Sequence, residues 1–239
     1  MDTKLFTETD GEMIRSFRYR PETSVEFKTA KQDVKILDTL LFGKTLFIDG
    51  VLQSSLKDEE IYHRKLVHPA LGHKPNAKTV CILGGGEGAT AREVLKYKNI
   101  ESVVMIDWDQ ELVEYFRDKE TSWHKGALVD SRVHLEHSDI FEILHEPRRY
   151  DIILIDLVDP DFENELWTKL FETLPKWLNP KGVLVANTGG VFPWDFQITS
   201  TCETLIKKGF GSLDHSMYKY KAFVPSFGRE WSFVYAELV

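Results

Sequence analysis

The feature that most constrains the fold is a regular alternation of apolar runs with amphipathic segments, which begins at about residue 78. Repeated strand–helix units of this kind imply a doubly wound parallel sheet with right-handed crossovers, and thus an α/β fold. The predicted strands are TVCILG, SVVMID, RVHLEHSD, YDIILID, GVLVANTG and, as antiparallel neighbours at the end, MYKYKAFV and EWSFVYAEL. The predicted helices are ATAREVLKY, QELVEYFRDK, FEILHE, ENELWTKLFETLPKWL and STCETLIKKGF.

The first part of the chain has a different texture. SVEFKTAKQDVKILDT and KTLFIDGVLQSS are rich in strand-forming residues, and the turn-prone stretches LFGK and IDG lie between or within them. KDEEIYHRKLVHPAL follows, with Ile61, Leu66 and Ala70 at near-helical spacing. We therefore predict a small N-terminal domain of antiparallel β-hairpins over residues 1–58 and a Rossmann-like catalytic domain over residues 59–239.

Composition excludes several classes of protein. The formal net charge is −8 and no Lys/Arg-rich block is present, which argues against nucleic-acid binding. Two cysteines without metal-site spacing indicate a reducing compartment, and the sequence predicts no metal centre. No apolar run approaches the length of a membrane span, and no apolar signal core is visible, so we expect a cytoplasmic protein without membrane partners.

A glycine-rich loop follows the first strand of the α/β region. LGGGEGATAREVL places Gly84, Gly86 and Gly88 between a strand and a helix, where small residues let the backbone approach a ligand at a helix N-terminus. Ala89 completes a dinucleotide-type pattern, so a nicotinamide enzyme is one interpretation. Glu87 argues against it, because an anion in the loop repels a pyrophosphate or a free amino-acid carboxylate. The loop therefore favours a nucleoside ligand that carries a nearby cation, such as decarboxylated S-adenosylmethionine.

Acidic residues also end the next two strands. Asp107 lies about 20 residues beyond the glycine loop, where an acceptor for ribose hydroxyls is expected. Trp108 beside it is a candidate to cover an adenine face, or a core residue. Asp139 ends the third strand and is a candidate to accept from an adenine amino group, or a helix N-cap.

The fourth strand runs into a pair of carboxylates. YDIILIDLVDP ends with Asp156 and Asp159, followed by Pro160. Asp and Pro are ordinary turn residues, which is one interpretation of the sequence. Ligands of such sheets bind beyond the carboxyl ends of the strands, so the alternative is that both acids face a cleft and hold a cationic substrate.

Taken together, these motifs resemble those of the polyamine aminopropyltransferases. GGGEG is similar to the glycine loop of that family, LQSSLKDEEIYHRKLVHP to its Q…DE…YHE…HP segment, and DLVDP to its D-x-x-DP signature. GGGEGATARE, VVMIDWDQE, DLVDP and VPSF resemble thermospermine synthases more than typical spermidine synthases. The resemblance covers nearly the whole chain and implies a Rossmann-like sheet of the class I methyltransferase type.

The resemblance implies a site for decarboxylated S-adenosylmethionine as co-substrate, with no prosthetic group. By position, Asp107 matches the acid that binds the ribose hydroxyls, and Asp139 the residue that reads adenine. Glu87 matches the loop acid near the aminopropyl ammonium, and Gln32 a glutamine of the hairpin domain that borders the co-substrate.

The resemblance also implies a site for a small polyamine. Asp156 matches the catalytic base, Tyr62 the tyrosine that helps to position the attacking amine, and Asp159 an anchor for the acceptor. Further acceptor-site residues implied by position are Gln53, His63, Tyr220 and Trp231. The family suggests a homodimer or homotetramer assembled through the N-terminal hairpins.

Two departures from the family pattern leave the acceptor open. YHR puts Arg64 where the family has an acid, and DFENEL after DLVDP is short and lacks the usual Gly-Pro. The amine is putrescine, giving spermidine, or spermidine, giving thermospermine, with cadaverine and agmatine also to be tested. The alternatives are an S-adenosylmethionine-dependent amine N-methyltransferase on the same scaffold and a catalytically silent binding subunit.

Overall fold

The structure is a computed structural model that describes residues 2–10, 13–192 and 197–239. Its first part is a five-stranded antiparallel sheet in which the strands follow one another in chain order. The strands are β1 (Lys4–Asp10), β2 (Met13–Lys28), β3 (Asp33–Thr39), β4 (Gly43–Ile48) and β5 (Val51–Ser55).

The second part is a seven-stranded sheet. Its strands are β6 (Thr79–Gly84), β7 (Ser102–Asp107), β8 (Val133–His137), β9 (Tyr150–Asp156), β10 (Leu178–Val191), β11 (His215–Val224) and β12 (Arg229–Leu238). The order is β11-β12-β10-β9-β6-β7-β8, in which β12 pairs antiparallel with both neighbours and the other pairs are parallel. β6 and β9 are therefore central neighbours, and Gly84 lies opposite Asp156 at their carboxyl ends.

Helices cover both faces of this sheet. They are α1 (Glu59–His73), α2 (Ala89–Leu95), α3 (Gln110–Asp118), α4 (Ile140–Ile143), α5 (Glu165–Thr173) and α6 (Gln197–Phe210). Alternate residues of β9 separate the two cores: Ile152 and Leu154 pack with α1, α2 and α3, whereas Ile153 and Ile155 pack with α4, α5 and α6. A strand buried on both faces explains why β9 is a continuous apolar run.

The α/β fold predicted from the sequence is confirmed, with β6, β7 and β9 at the predicted bounds. The main differences from expectation concern β1, β2 and α5. The structure adds β1 and extends β2 back to Met13, whereas the sequence indicated strands only from residue 24. The helix expected over residues 163–178 ends at Thr173 and tightens into a 3-10 turn, Leu174–Trp177, whose second residue is Pro175. The division into domains at residue 58 stays a prediction.

Polar contacts connect the N-terminal sheet to the α/β part. The Thr29 hydroxyl donates to Asp109 over 2.6 Å, and Lys44 pairs with Glu120 over 2.5 Å. The Trp123 indole donates to the Ser54 hydroxyl over 2.9 Å. These contacts hold the hairpins over the carboxyl edge of the large sheet. Within the described ranges, none of the helices is long and apolar enough to span a bilayer.

Candidate active site

A cavity of about 430 Å³ lies between the carboxyl edge of the large sheet and the N-terminal sheet. Strands β6, β7 and β9 deliver their terminal residues to its floor, and β4 and β5 supply part of its roof. Most of the predicted site residues line it: Gln32, Gln53, Tyr62, His63, Gly84, Gly86, Glu87, Asp107, Trp108, Asp156, Asp159 and Trp231.

The glycine loop allows backbone and carboxylates to meet on this floor. Gly84 and Gly85 have φ values of +79° and +74°, in the left-handed region that favours glycine. A Cβ on Gly84 would overlap the Asp156 carbonyl oxygen, and one on Gly85 would lie 2.8 Å from the Asp156 carboxylate. A Cβ on Gly86 would lie 3.0 Å from the carboxylate of Asp107. The loop therefore touches both strand-end acids, which larger residues would displace.

Asp156 is held by two hydroxyl donors. The Tyr62 hydroxyl donates to Oδ1 over 2.8 Å, and the Thr90 hydroxyl donates to Oδ2 over 2.5 Å. Desolvation raises the pKa of Asp156, the nearby Glu87 raises it further, and both hydroxyls oppose the shift. Burial raises the pKa of Tyr62, so this phenol stays a proton donor. A fixed carboxylate with a raised pKa is the type of group that acts as a general base.

A chain of alternating charges runs from the loop to the helices. His63 Nε2 lies 3.0 Å from Glu87 Oε1, and His63 Nδ1 lies 2.8 Å from Glu59 Oε2. Arg92 donates to both oxygens of Glu59, over 2.8 and 2.9 Å. Burial lowers the pKa of His63, but the contacts with Glu59 and Glu87 outweigh it and raise that pKa to about 10. Burial raises the pKa of Glu59, whereas His63 and Arg92 lower it to about 2 overall.

A second acid lies at the end of β7. Burial raises the pKa of Asp107 to about 7, although the Asp109 backbone N–H donates to its Oδ1 over 3.0 Å. Trp108 is half-exposed beside it, and Lys31 lies over the Trp108 ring at 5.1 Å. Gln32 also lines this end of the cavity. An acid, an exposed aromatic face and an amide are groups that could receive a nucleoside.

The other end of the cavity contains Asp159 and Trp231. The Asp159 side chain lies against Gly189, where a Cβ would come within 2.9 Å of its carboxyl carbon. Asn187 organises this region: it accepts from the Trp231 indole over 2.6 Å and donates to the Leu157 carbonyl over 3.0 Å. The segment after Asp156 is thereby fixed relative to β12.

Three residues predicted for the site lie outside the lining of this cavity. Asp139 caps α4 and accepts from the Phe141 backbone N–H over 2.9 Å. Tyr220 donates to the Lys65 carbonyl over 2.7 Å and stacks on Phe233. Gly88 is the N-cap residue of α2 and has a φ of +79°. Their proposed contacts with ligands stay predictions.

Several residues with a role in the geometry were not identified from the sequence. Thr90 and Asn187 hold Asp156 and the segment that follows it. The sequence gives no clear signal for these contacts, because Thr90 is one of several polar residues in α2 and Asn187 lies next to Thr188 at the end of an apolar run. The other unanticipated residues that line the cavity are Arg15, Leu46, Ile48, Asp49, Val51, Leu52, Gly85, Leu112, Leu157, Val158, Phe227 and Arg229.

Asp58, at the start of α1, connects elements that are distant in sequence. Its carboxylate accepts from the Ser226 backbone N–H over 2.6 Å, the Ser226 hydroxyl over 2.8 Å and the Ser55 hydroxyl over 2.9 Å. Arg15 reaches the same turn, where it donates to the Ser226 and Phe227 carbonyls. The turn that supplies Phe227 is therefore fixed to both α1 and the N-terminal sheet.

Arg64, one of the two departures from the family pattern, points away from the cavity. Its side chain is 60% exposed and pairs with Glu60 at 3.8 Å on the outer face of α1. The acids of the cavity thus do not meet this cation.

Two carboxylates and an imidazole converge beside the glycine loop. Ligand-type atoms of His63, Glu87 and Asp156 lie within 4.8 Å of one another. A metal ion at this point would have to displace His63 Nε2 from Glu87. We therefore interpret the two carboxylates, Glu87 and Asp156, as an acidic face for an ammonium group. The expectation that no metal is used stays a prediction.

Comparisons with known proteins give a consistent result. A family model described as spermine/spermidine synthase domain matches residues 59–237. A polyamine aminopropyltransferase of Saccharolobus solfataricus is 43% identical over 218 residues, which is 88% of this chain and 70% of that protein. Polyamine aminopropyltransferase 1 of Hyperthermus butylicus is 41% identical over 219 residues, covering 86% of this chain and 71% of that protein.

Two solved structures share the fold. A spermidine synthase from Thermotoga maritima superposes with a TM-score of 0.84 at 23% identity, covering 98% of this chain and 79% of that one. A spermidine synthase in complex with the transition-state analogue AdoDATO gives a TM-score of 0.86 at 24% identity, covering 98% and 80%.

Proposed function

The chain belongs to the spermine/spermidine synthase family, and we propose that it transfers the aminopropyl group of decarboxylated S-adenosylmethionine to an amine of a polyamine. The observation that carries this proposal is the pair of acids in one cavity. Asp156 is fixed by the Tyr62 hydroxyl, and Glu87 lies in the glycine loop beside it. One acid suits the attacking amine and the other suits the ammonium of the aminopropyl group.

The co-substrate would lie across the glycine loop. Asp107 would accept the ribose hydroxyls, with Gln32 and the face of Trp108 beside the nucleoside, and Asp139 is the candidate to read adenine. Glu87 disfavours the α-carboxylate of ordinary S-adenosylmethionine, because like charges repel. The same acid attracts the ammonium that decarboxylated S-adenosylmethionine presents instead.

The reaction needs a neutral amine. Polyamine amines have pKa values near that of Lys, about 10.4, so they arrive protonated. Asp156 would hold the ammonium and take its proton as the nitrogen attacks the methylene carbon next to the sulfonium. The new N–C bond forms as the C–S bond breaks, and the electron pair of the C–S bond leaves with the sulfur of neutral methylthioadenosine. Tyr62 and Thr90 keep the carboxylate aligned for this in-line displacement.

The rest of the acceptor would lie toward Asp159, with Trp231 and Gln53 beside it. Asp159 would hold a second ammonium by charge-assisted hydrogen bonds. We propose putrescine or spermidine as acceptor, giving spermidine or thermospermine.

Turnover with a panel of amines tests the proposal. The protein is incubated with decarboxylated S-adenosylmethionine and putrescine, spermidine, cadaverine or agmatine, and methylthioadenosine is measured by chromatography. We expect release with at least one amine, and the mass of the product identifies the acceptor. Asp156→Asn is the control and should lose at least about a hundredfold in kcat. Release of methylthioadenosine with none of the amines refutes the proposal.

Ordinary S-adenosylmethionine provides the second arm of the experiment. Calorimetry should show tighter binding of the decarboxylated form, because Glu87 would repel the α-carboxylate of ordinary S-adenosylmethionine. Tighter binding of ordinary S-adenosylmethionine, with a methylated amine as product, would favour an N-methyltransferase instead.

A further inference from the structure

His63 lies between two carboxylates, and both of its ring nitrogens have hydrogen-bond partners within the protein. It is 3% exposed, with Nδ1 2.7 Å from the Glu59 carbonyl and 2.8 Å from the Glu59 carboxylate. Both of these partners accept, so Nδ1 must carry a proton. Nε2 lies 3.0 Å from Glu87 Oε1, which is a second acceptor when Glu87 is ionised. A neutral imidazole has a single N–H, so donation to both sides requires an imidazolium.

The charged groups around His63 favour that state. Glu59 faces it from its own helix, Glu87 from the glycine loop and Asp156 from the end of β9. The neighbouring Tyr62 ring is neutral and packs edge-on at 5.0 Å. Arg92 lies on the far side of Glu59 and neutralises it. The cation at His63 is therefore surrounded by anions, and Glu59 lies between it and the Arg92 guanidinium.

We propose that His63 is a positioning residue, an imidazolium that holds one oxygen of Glu87 so that the other oxygen is presented to the ammonium of the aminopropyl group. The inference rests on the proposed function. His63 was expected to contact the acceptor, but both of its ring nitrogens are occupied by the protein. It would act on the co-substrate through Glu87, without touching it. Arg92 and Glu59 support this arrangement from behind.

The first experiment needs no substrate. Nitrogen-15 NMR of histidine-labelled protein reports whether each ring is neutral or an imidazolium. We expect an imidazolium signal that persists at about pH 9, well above the range where free histidine titrates, and that is absent from His63→Gln. Glu59→Gln, which removes one of the two carboxylates in contact with the His63 ring, should make the same signal titrate at lower pH. A spectrum of the wild-type protein without any imidazolium at this pH overturns the proposal, whether or not a variant folds.

The second experiment tests the route through Glu87. His63→Gln should weaken the calorimetric Kd for decarboxylated S-adenosylmethionine about tenfold, with kcat changed less than about threefold. In a Glu87→Gln background the same substitution should have almost no further effect on Kd, because the group that it positions is gone. Equal effects in both backgrounds, or a loss confined to kcat, overturn the positioning role.

The two experiments also separate this inference from the proposed function. If the wild-type protein releases no methylthioadenosine, the proposed aminopropyl transfer is refuted. The NMR result still decides whether His63 is an imidazolium. If turnover is normal and His63 is neutral, the proposed function stands and the positioning role of His63 is refuted.

Discussion

Replacement of Tyr62 by Phe tests the role of a single hydrogen bond in the chemistry. The substitution removes a donor that lies 2.8 Å from Asp156 Oδ1 and is otherwise buried. The ring itself keeps its contacts with Phe227 and Phe233, so the fold should survive. A hydrogen bond to a charged group contributes about 1.5–3 kcal/mol. If that stabilisation is needed in the transition state, kcat/KM should fall about 10- to 160-fold.

The pH dependence should change in a defined direction. Asp156 acts as a base, so activity falls as pH drops through its pKa. The hydrogen bond from Tyr62 favours the ionised carboxylate and lowers that pKa, against the effect of burial. Its loss should therefore move the acid limb of the kcat/KM profile to higher pH. Thr90→Val removes the other hydroxyl donor and should move the limb in the same direction.

The assay is methylthioadenosine release as a function of pH with the preferred amine. Tyr97→Phe is a matched control. It also removes a half-buried hydroxyl, which lies 2.6 Å from His68 Nδ1, but Tyr97 lies outside the cavity. Thermal unfolding confirms that each variant is folded. A Tyr62→Phe enzyme with wild-type kcat/KM and an unshifted acid limb would refute the assignment of Tyr62 and Asp156 as a catalytic pair.

Three other substitutions give distinct readouts. Glu87→Gln should narrow the difference in Kd between decarboxylated and ordinary S-adenosylmethionine, since the repulsion of the α-carboxylate is lost; calorimetry with both ligands decides, and an unchanged ratio contradicts the role of the loop acid. Gly84→Ala should lower the free energy of unfolding in urea by about 1–3 kcal/mol, because its φ of +79° and the adjacent Asp156 backbone leave no room for a Cβ. Gly72→Ala is the matched control, since it has open space, and comparable losses would contradict the argument. His63→Gln should flatten the pH dependence of stability. Burial lowers the pKa of His63, but two carboxylates outweigh burial and raise that pKa from 6.5 to about 10. The contribution of His63 to the free energy of unfolding is therefore fully present below pH 6.5 and lost as the pH rises toward 10. Urea unfolding at several pH values measures this, and parallel declines in wild type and variant would rule it out.

The large sheet could be predicted because its central strands, such as β6 and β9, are buried on both faces. The run that ends at Asp156 is continuously apolar, whichever elements pack on its two faces, so its bounds can be predicted from the sequence alone. The N-terminal strands are harder to predict because their inward face is not consistently apolar. In β2, Arg15 faces inward to pair with the buried Glu8, whereas Ile14 is 71% exposed. Alternation of polar and apolar residues is thereby inverted where the strand begins.

The candidate site could be predicted in part for a similar reason. Acids at strand ends and a glycine loop are local signals, and the structure brings Asp107, Asp156 and Glu87 to one cavity. The pair of Glu59 and His63 is also visible, as residues one helical turn apart. Their contact with Glu87 is not visible, because it depends on how α1 is oriented against the glycine loop. Contacts between residues that are distant in sequence cannot be predicted from a single sequence, even when all the residues involved are polar.

The bond between Asp58 and Ser226 has a consequence for the order in which the site can form during synthesis. The two residues are 168 positions apart. At about 5–20 residues per second, a ribosome needs roughly 8–34 s to travel between them. Throughout that interval the Asp58 carboxylate lacks the Ser226 donors that satisfy it in the folded protein, and its burial would be costly. The start of α1 therefore stays hydrated, and the cavity is completed only when the last hairpin arrives.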